Sequence, residues 1–385
     1  MASSVTRHTP ITGPDDWTLL NCGLDSLDLG VYVAWGERWP QLLADLEQRR
    51  SEAEHTSGIR WRDMIDGPVL ILPSGKPPMY RFHLQSADFH LYIGKRQTPF
   101  KQTPNLYVSF TAHALWRLGP AQAVEQFVAF VAELGGEILG MRVSRSDLCA
   151  DFLIPGGVSL DFIRSHRVSL SEKTRDHCDG DVLESFYVGQ KGAPTQLRIY
   201  DKAREVLAGG TKMWFLDLWG LDACRDVWRV EYQLRRTPLK AFAIHCPADL
   251  SAKLAGLWSY LTEQWASLRL PVGTNTSRRP VHPWWQAVQL CAERFGEPCQ
   301  LQRVRSDDQL AQVDWYVTHI GGCLVGLGVR LGVDELDHLL LVLSGLLGQY
   351  WQEGEFEQRY LRKAIQHGIP IKPEQEGEAD DAQQQ

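Results

Sequence analysis

The stretch Gln196-Leu197-Arg198-Ile199-Tyr200-Asp201-Lys202 sets a phenol between two cations. Read as a strand, it turns Leu197 and Ile199 to one face and Arg198, Tyr200 and Lys202 to the other. That polar face suits an anion, a phosphodiester in particular. Taken alone, it also fits a half-exposed edge strand with solvated Arg and Lys. Two more segments share the pattern of an apolar back and a charged front. In residues 141–154, Arg145, Asp147, Cys149 and Asp151 lie on one face, with Leu148, Ala150 and Phe152 on the other. In residues 226–235, Arg229, Glu231 and Gln233 oppose Val230, Tyr232 and Leu234. Carboxylates in a strand fit to be buried are costly without a cation. If the three fronts align in one sheet, Asp147, Asp151 and Glu231 form a ligand set for a hard cation, Mg²⁺ or Mn²⁺. Such a metal beside a phenol polarises a phosphodiester and makes Tyr200 a nucleophile. Arg198, Lys202 and Arg229 then hold the phosphate or stabilise charge on its oxygens. The plainer alternative is a set of solvated ion pairs on an open antiparallel sheet.

The elements that must position these residues can be read in order. Asp28 to Trp35 is expected as a strand and 40–54 as a helix with Trp39, Leu42, Leu43 and Leu46 on one face. Short strands follow at 69–72 and 105–111, with a hairpin over 80–93 centred on 86–88. A helix over 120–134 is closed by Gly135-Gly136. The strand over 138–154 leads to a helix starting at 160–165 and a polar loop over 171–183. Strands at 184–188 and 195–202 are joined by the turn Gly189-Gln190-Lys191-Gly192, which makes Lys191 a further phosphate-binding candidate with Arg145 and Arg229. The strand 226–235 precedes a helix over 248–265. Helices are expected at 284–295, 309–321, 323–331, 333–350 and 355–367. The domains read as a disordered N-terminus over 1–17, a catalytic domain over 18–272, a linker over 273–283 with paired Pro, Thr and Arg residues, a helical domain over 284–370, and a disordered acidic tail over 371–385. No internal repeat is visible. The fold class is α+β: an antiparallel sheet flanked by helices, then a smaller all-α region.

The chain has 385 residues, 23% of them charged, with a net charge of −7, which argues against a protein that coats nucleic acid by bulk attraction. A local basic groove remains compatible. Fourteen tryptophans leave room for some that stack on bases, Trp284 and Trp285 near Arg278 and Arg279 among the candidates, although burial is the commoner use. The eight cysteines form no CxxC pair and no zinc spacing. With no apolar leader at the N-terminus, they are expected to be reduced thiols in a cytoplasmic protein. The run Leu339 to Leu347 is too short to span a bilayer, so no membrane partner is expected.

Three motifs together resemble the Rep_trans-type replication initiation factor family. Arg145-Ser146-Asp147-Leu148-Cys149-Ala150-Asp151-Phe152 is similar to its R-x-D-L-x-x-D-F strand. Tyr187-Val188-Gly189, followed by Arg198-Ile199-Tyr200-Asp201-Lys202, is similar to its Y-x-G…R-I-Y-[DN]-K hairpin. Trp228-Arg229-Val230-Glu231, continuing to Leu234 and Arg236, is similar to its W-R-V-E-x-x-L-x-R strand. The likeness covers about 138–240 well and 20–137 loosely. It implies a relaxase/Rep-like nuclease core that nicks one DNA strand at a replication origin. Tyr200 would form a 5′-phosphotyrosyl link and free a 3′-OH primer, and the strand would later be rejoined. Asp147, Asp151 and Glu231 would hold the Mg²⁺ or Mn²⁺. The implied partners are origin DNA (a hairpin or single-stranded nick site), a host helicase and polymerase, and a second copy of the chain. Relaxase action in conjugative transfer uses the same chemistry. A non-catalytic origin-binding protein and a water-using phosphodiesterase are the other readings. The His-hydrophobe-His metal motif of related nucleases is missing, and His83 and His90 are expected to be structural. Tyr187 is the rival nucleophile.

Overall fold

The computed structural model describes residues 14, 16–64, 67–273, 275–299, 301, 309–351 and 354–367. The expected terminal segments fall largely outside these residues, although Trp17 is described and packs against the main core. The chain runs β1 (Thr18–Trp35), α1 (Trp39–Glu52), β2 (Ile59–Met64), β3 (Gly67–Leu72), β4 (Phe82–Gln85), β5 (Phe89–Ile93), β6 (Leu106–Phe110), α2 (Ala112–Leu118) and α3 (Pro120–Glu133). It continues with β7 (Gly136–Leu153), α4 (Leu160–His166), β8 (Arg167–Ser169), β9 (Thr174–Asp179), β10 (Val182–Val188), β11 (Thr195–Asp201), α5 (Lys202–Gly209), α6 (Phe215–Trp219) and β12 (Val227–Arg235). Then come α7 (Arg236–Ala241), α8 (Pro247–Tyr260), β13 (Ala266–Leu268), α9 (Pro283–Leu290), α10 (Gln309–Leu331), α11 (Leu336–Tyr350) and α12 (Glu355–His367).

Eleven strands form one sheet in the order β2-β3-β4-β5-β6-β1-β7-β12-β11-β10-β9, and every neighbouring pair is antiparallel. Its back is apolar by strict alternation. Leu29 and Val31 of β1, Leu148 and Phe152 of β7, and Val230 and Tyr232 of β12 are fully buried. They pack in one core with Phe127 and Val131 of α3 and Leu257 and Trp258 of α8. The expected α+β class therefore holds: an antiparallel sheet flanked by helices, with a helical region after it.

The sequence shows no repeat, yet the path repeats. β1, α1 and a meander ending on β6 beside β1 are matched by β7, α4 and a meander ending on β12 beside β7. Since β1 and β7 are antiparallel neighbours, the halves are related by an approximate twofold axis perpendicular to the sheet. Only the hydrophobic alternation is common to the halves, so nothing in the sequence repeats at a fixed period. Strand β1 also begins ten residues earlier than expected, at Thr18, and β9 occupies part of the expected loop over 171–183.

The expected linker at 273–283 does not divide the chain. One compact unit spans Met1–Ser306 and the other Asp307–Gln385. Trp284 and Trp285 are fully buried. The Trp285 indole donates to the Thr262 carbonyl at 2.9 Å, and that of Trp258 to Val288 at 2.7 Å. Covering two indoles of about 200 Å² each is worth roughly 10 kcal/mol at about 25 cal/mol/Å², as much as the whole net stability of an ordinary domain. A chain ended at Leu270 should therefore lose cooperative unfolding in calorimetry, whereas one ended at Ser306 should keep it. In the second unit, α10 runs through Gly321-Gly322, where the sequence suggested a break, because two glycines weaken a helix without blocking it.

Candidate active site

The register aligns the three fronts. Arg229 pairs with Asp151, Glu231 with Cys149, and Gln233 with Asp147. On the other side of β12, Tyr200 pairs with Arg229 and Arg198 with Glu231. Side chains of paired residues share a face, so the polar fronts of β7, β12 and β11 form one surface.

Two arginines organise it. Arg198 Nη2 donates to Asp147 Oδ2 at 3.1 Å and also bonds Glu231 Oε1. Arg145 grips Asp147 from the other side through Nε at 2.9 Å and through Nη2. The remaining Glu231 oxygen accepts the Tyr200 hydroxyl at 2.8 Å. Arg229 is fully buried. It forks onto Asp151 at 2.5 and 2.7 Å and reaches Asp25 Oδ1 at 2.5 Å. The Trp219 indole closes the Asp151 carboxylate at 2.8 Å. Lys202 opens α5, so helix geometry and not strand parity aims it. Its Nζ lies 3.5 Å from the Tyr200 oxygen and 2.5 Å from Glu205. Asp201, out of phase with Tyr200 on β11, caps α5 by accepting the Arg204 N–H at 2.9 Å, and it also borders the cleft.

These groups border a cleft of about 440 Å³, lined among others by Arg145, Arg198, Tyr200, Lys202, Lys212 and Glu231. Tyr187 also lines it, paired with Arg198 in register and lying under the Arg175 guanidinium at 4.3 Å. Lys191 does not join the site: it is exposed in the turn at the far end of β11 from Tyr200. Asp151 and Arg229 support the floor and do not line the cleft. The sequence reading missed Asp25, Glu205, Lys212 and Trp219. Asp25 sits where β1 bulges between Leu24 and Ser26, which breaks the alternation that parity relies on.

The electrostatics follow from burial against these pairings. Burial, and then the Glu231 carboxylate, push the Tyr200 phenol well above its ordinary value. Its oxygen therefore carries a proton until a base takes it. Burial raises Asp147 to about 7, opposed by the Arg145 hydrogen bond and reinforced by Glu231. Burial also works to raise Asp25, but Arg229 and Lys202 outweigh it and hold the carboxyl well below the usual range. Burial, followed by repulsion from Arg229, depresses Lys202. Among the described residues, the buried Arg198 Nε meets no acceptor once its two carboxylates are served.

The expected Mg²⁺ or Mn²⁺ trio does not assemble. Asp147 and Glu231 converge on one guanidinium, while Asp151 is closed by Arg229 and Trp219. Among the described residues, no group of three or more His, Cys, Asp or Glu side chains stands at metal-binding spacing. As arranged, these residues do not fit a three-carboxylate metal site.

His83 and His90, expected to be structural, hydrogen-bond each other at 3.0 Å on β4 and β5. Burial, then repulsion from His90 and Lys76, lowers His83 to about 4. Between about pH 4 and 6.5 the unfolded chain takes up a proton that folded His83 refuses. Stability should thus fall as pH drops through that window. After discounting for partial exposure, the loss is about 1 kcal/mol. Chemical denaturation of His83→Gln at pH 4.5 and 7 should show a correspondingly smaller pH dependence than the parent.

No family model matches the chain, and no curated protein matches it. Among solved structures, a rolling circle replication initiator protein from Geobacillus stearothermophilus is similar at a TM-score of 0.42 and 16% identity. The match covers 73% of this chain and 99% of that one. Likeness at that level assigns no activity. No helix among the described residues is long and apolar enough to cross a membrane.

Proposed function

We propose that the cleft cuts and rejoins one DNA strand through a covalent tyrosine intermediate, as a rolling-circle replication initiator. The observation that carries the proposal is the phenol–carboxylate pair. Tyr200 already donates to Glu231, whose second oxygen is fixed by Arg198. A nucleophile hydrogen-bonded to a base, itself oriented by a third group, is the usual arrangement for covalent catalysis. Glu231 takes the phenol proton as the oxygen attacks phosphorus. The P–O bond to Tyr200 forms, the bond to the 3′ oxygen breaks, and the Lys202 ammonium gives one of its own protons to the leaving 3′ oxygen, which departs as the 3′-OH. Arg198 and Lys202, which both line the cleft, offset the charge on the phosphorane oxygens. Reversal, with a 3′-OH attacking the phosphotyrosine, rejoins the strand. The motif resemblance around Asp147, Tyr200 and Glu231 supports DNA as the substrate. The proposal is built without the expected Mg²⁺ or Mn²⁺. A relaxase for conjugative transfer would run the same reaction on a different DNA.

The test is incubation of the full chain with supercoiled plasmid carrying the DNA that flanks its gene, followed by denaturing electrophoresis. Nicked circles with protein fixed to them are expected. Nicked circles free of protein would point to water as the nucleophile and overturn the mechanism.

A further inference from the structure

The twofold relation between the halves places a second cleft where the first half has its counterpart of the nucleophile cleft. The nucleophile cleft takes part of its lining from the connection between β11 and β12. The matching connection in the first half runs from β5 to β6, residues 94–105. It borders a cleft of about 670 Å³ together with the β3–β4 loop. An axis perpendicular to the sheet keeps both clefts on the same face, at opposite ends of the strands.

This second cleft is basic in an acidic chain. Exposed Arg81, Lys95 and Arg96 line it with the half-buried Arg50, and exposed Lys76 and Lys101 stand next in sequence to the lining Gly75, Pro77 and Phe100. Glu47 alone answers Arg81 at 3.3 Å and Lys95 at 3.0 Å. Among the described residues, Lys76, Arg96 and Lys101 form no salt bridge and lie over aromatic rings instead. Lys76 is 4.0 Å from the Tyr107 ring centre, and Arg96 and Lys101 are 4.6 and 5.7 Å from that of Phe100. Phe100 itself is 52% exposed. Lys101 holds φ at 53°, a left-handed conformation uncommon outside glycine, next to that ring. Below the cleft, Tyr107 donates to Asp28, which pairs in register with Arg145, so the polar face continues to the Tyr200 site.

We propose that the β3–β4 and β5–β6 loops form a second nucleic-acid site that grips unpaired DNA, stacking a base on Phe100 and seating phosphates on Lys95, Arg96 and Lys101. An exposed ring flanked by cations without carboxylate partners is the arrangement that binds single strands without sequence preference. A duplex, whose bases are already stacked, offers no free base face to Phe100, whereas a single strand does. The inference rests on the reading that the chain acts on DNA, and it assigns this half the holding of strand outside the nick.

The test uses the full chain and fluorescein-labelled (dT)20, read by fluorescence anisotropy across a salt series, with adduct formation measured in parallel. Phe100→Ala should weaken binding roughly tenfold. The triple variant Lys95→Glu/Arg96→Glu/Lys101→Glu should reduce the slope of log K against log salt by about two. Arg359→Ala, which removes an exposed pair with Glu355 in α12, a helix that lines neither cleft, should leave (dT)20 binding unchanged. The site is overturned if the wild-type chain does not bind (dT)20, or if both patch variants keep wild-type affinity and salt slope. It is also overturned if a 20-base-pair duplex binds as tightly as (dT)20 and is weakened as much by Phe100→Ala. Loss of (dT)20 binding in the patch variants, with no adduct in the wild type, supports this site and sinks the proposed reaction instead.

Discussion

Replacing Tyr200 with Phe should abolish the covalent adduct and slow nicking by at least about 10⁴-fold, the scale on which loss of a covalent nucleophile acts. The change removes one hydroxyl with its hydrogen bond to Glu231 and the long one it accepts from Lys202. Stability should therefore shift by only about 1 kcal/mol, and the catalytic loss cannot be put down to misfolding. Glu231→Gln keeps the shape but cannot accept the phenol proton, so it should slow adduct formation by about 10²- to 10⁴-fold. Tyr187→Phe should retain activity, because that ring lies under Arg175 and, among the described residues, meets no carboxylate as Tyr200 meets Glu231. An ordinary phosphodiesterase would invert the pattern, with a modest effect of Tyr200→Phe and no adduct from any variant.

The largest effect on the fold is expected at Arg229. Arg229→Met fills similar space but strands Asp151, fully buried, and Asp25 without their cation. Breaking a buried ion pair from one side costs about 3–5 kcal/mol, which in a domain of this size lowers Tm by roughly 10 °C. Arg229→Lys keeps the charge but not the fork and should fall between the two. Arg204→Ala, which removes exposed pairs with Asp179 and Glu184, should leave Tm unchanged. Differential scanning calorimetry of the four proteins gives the comparison. Equal Tm for Arg229→Met and the parent would mean that the Arg229 network does not hold the floor of the cleft.

Parity made the site legible in part. Asp147, Glu231, Arg198 and Tyr200 could be placed on one face because β7, β11 and β12 alternate without interruption there, and the register aligns them. What each charge does could not be read that way. Alternation tells which residues share a face but not which guanidinium takes which carboxylate, so Asp151 looked like a metal ligand and is instead the seat of Arg229. Lys202 was assigned by strand parity and reaches Tyr200 from the first turn of a helix. Lys191 lies in the hairpin turn, where alternation carries no spatial meaning. The domain boundary was misplaced for a similar reason. A stretch with two prolines and a glycine signals a loop, but not whether the Trp pair beyond it returns to the core it has just left. The second cleft was out of reach altogether, because it depends on a twofold relation that only the strand order reveals.

The most direct test of the central claim is the identity of the residue that carries the DNA. After reaction with the supercoiled substrate, nuclease digestion and trypsin, cleavage at Arg198 and Lys202 leaves a peptide of residues 199–202 in which Tyr200 is the sole tyrosine. Tyr187 falls in a separate peptide of residues 176–191. Mass spectrometry should find the nucleotide on the 199–202 peptide. A nucleotide on the 176–191 peptide, or nicked DNA with no nucleotide on either, would contradict the assignment.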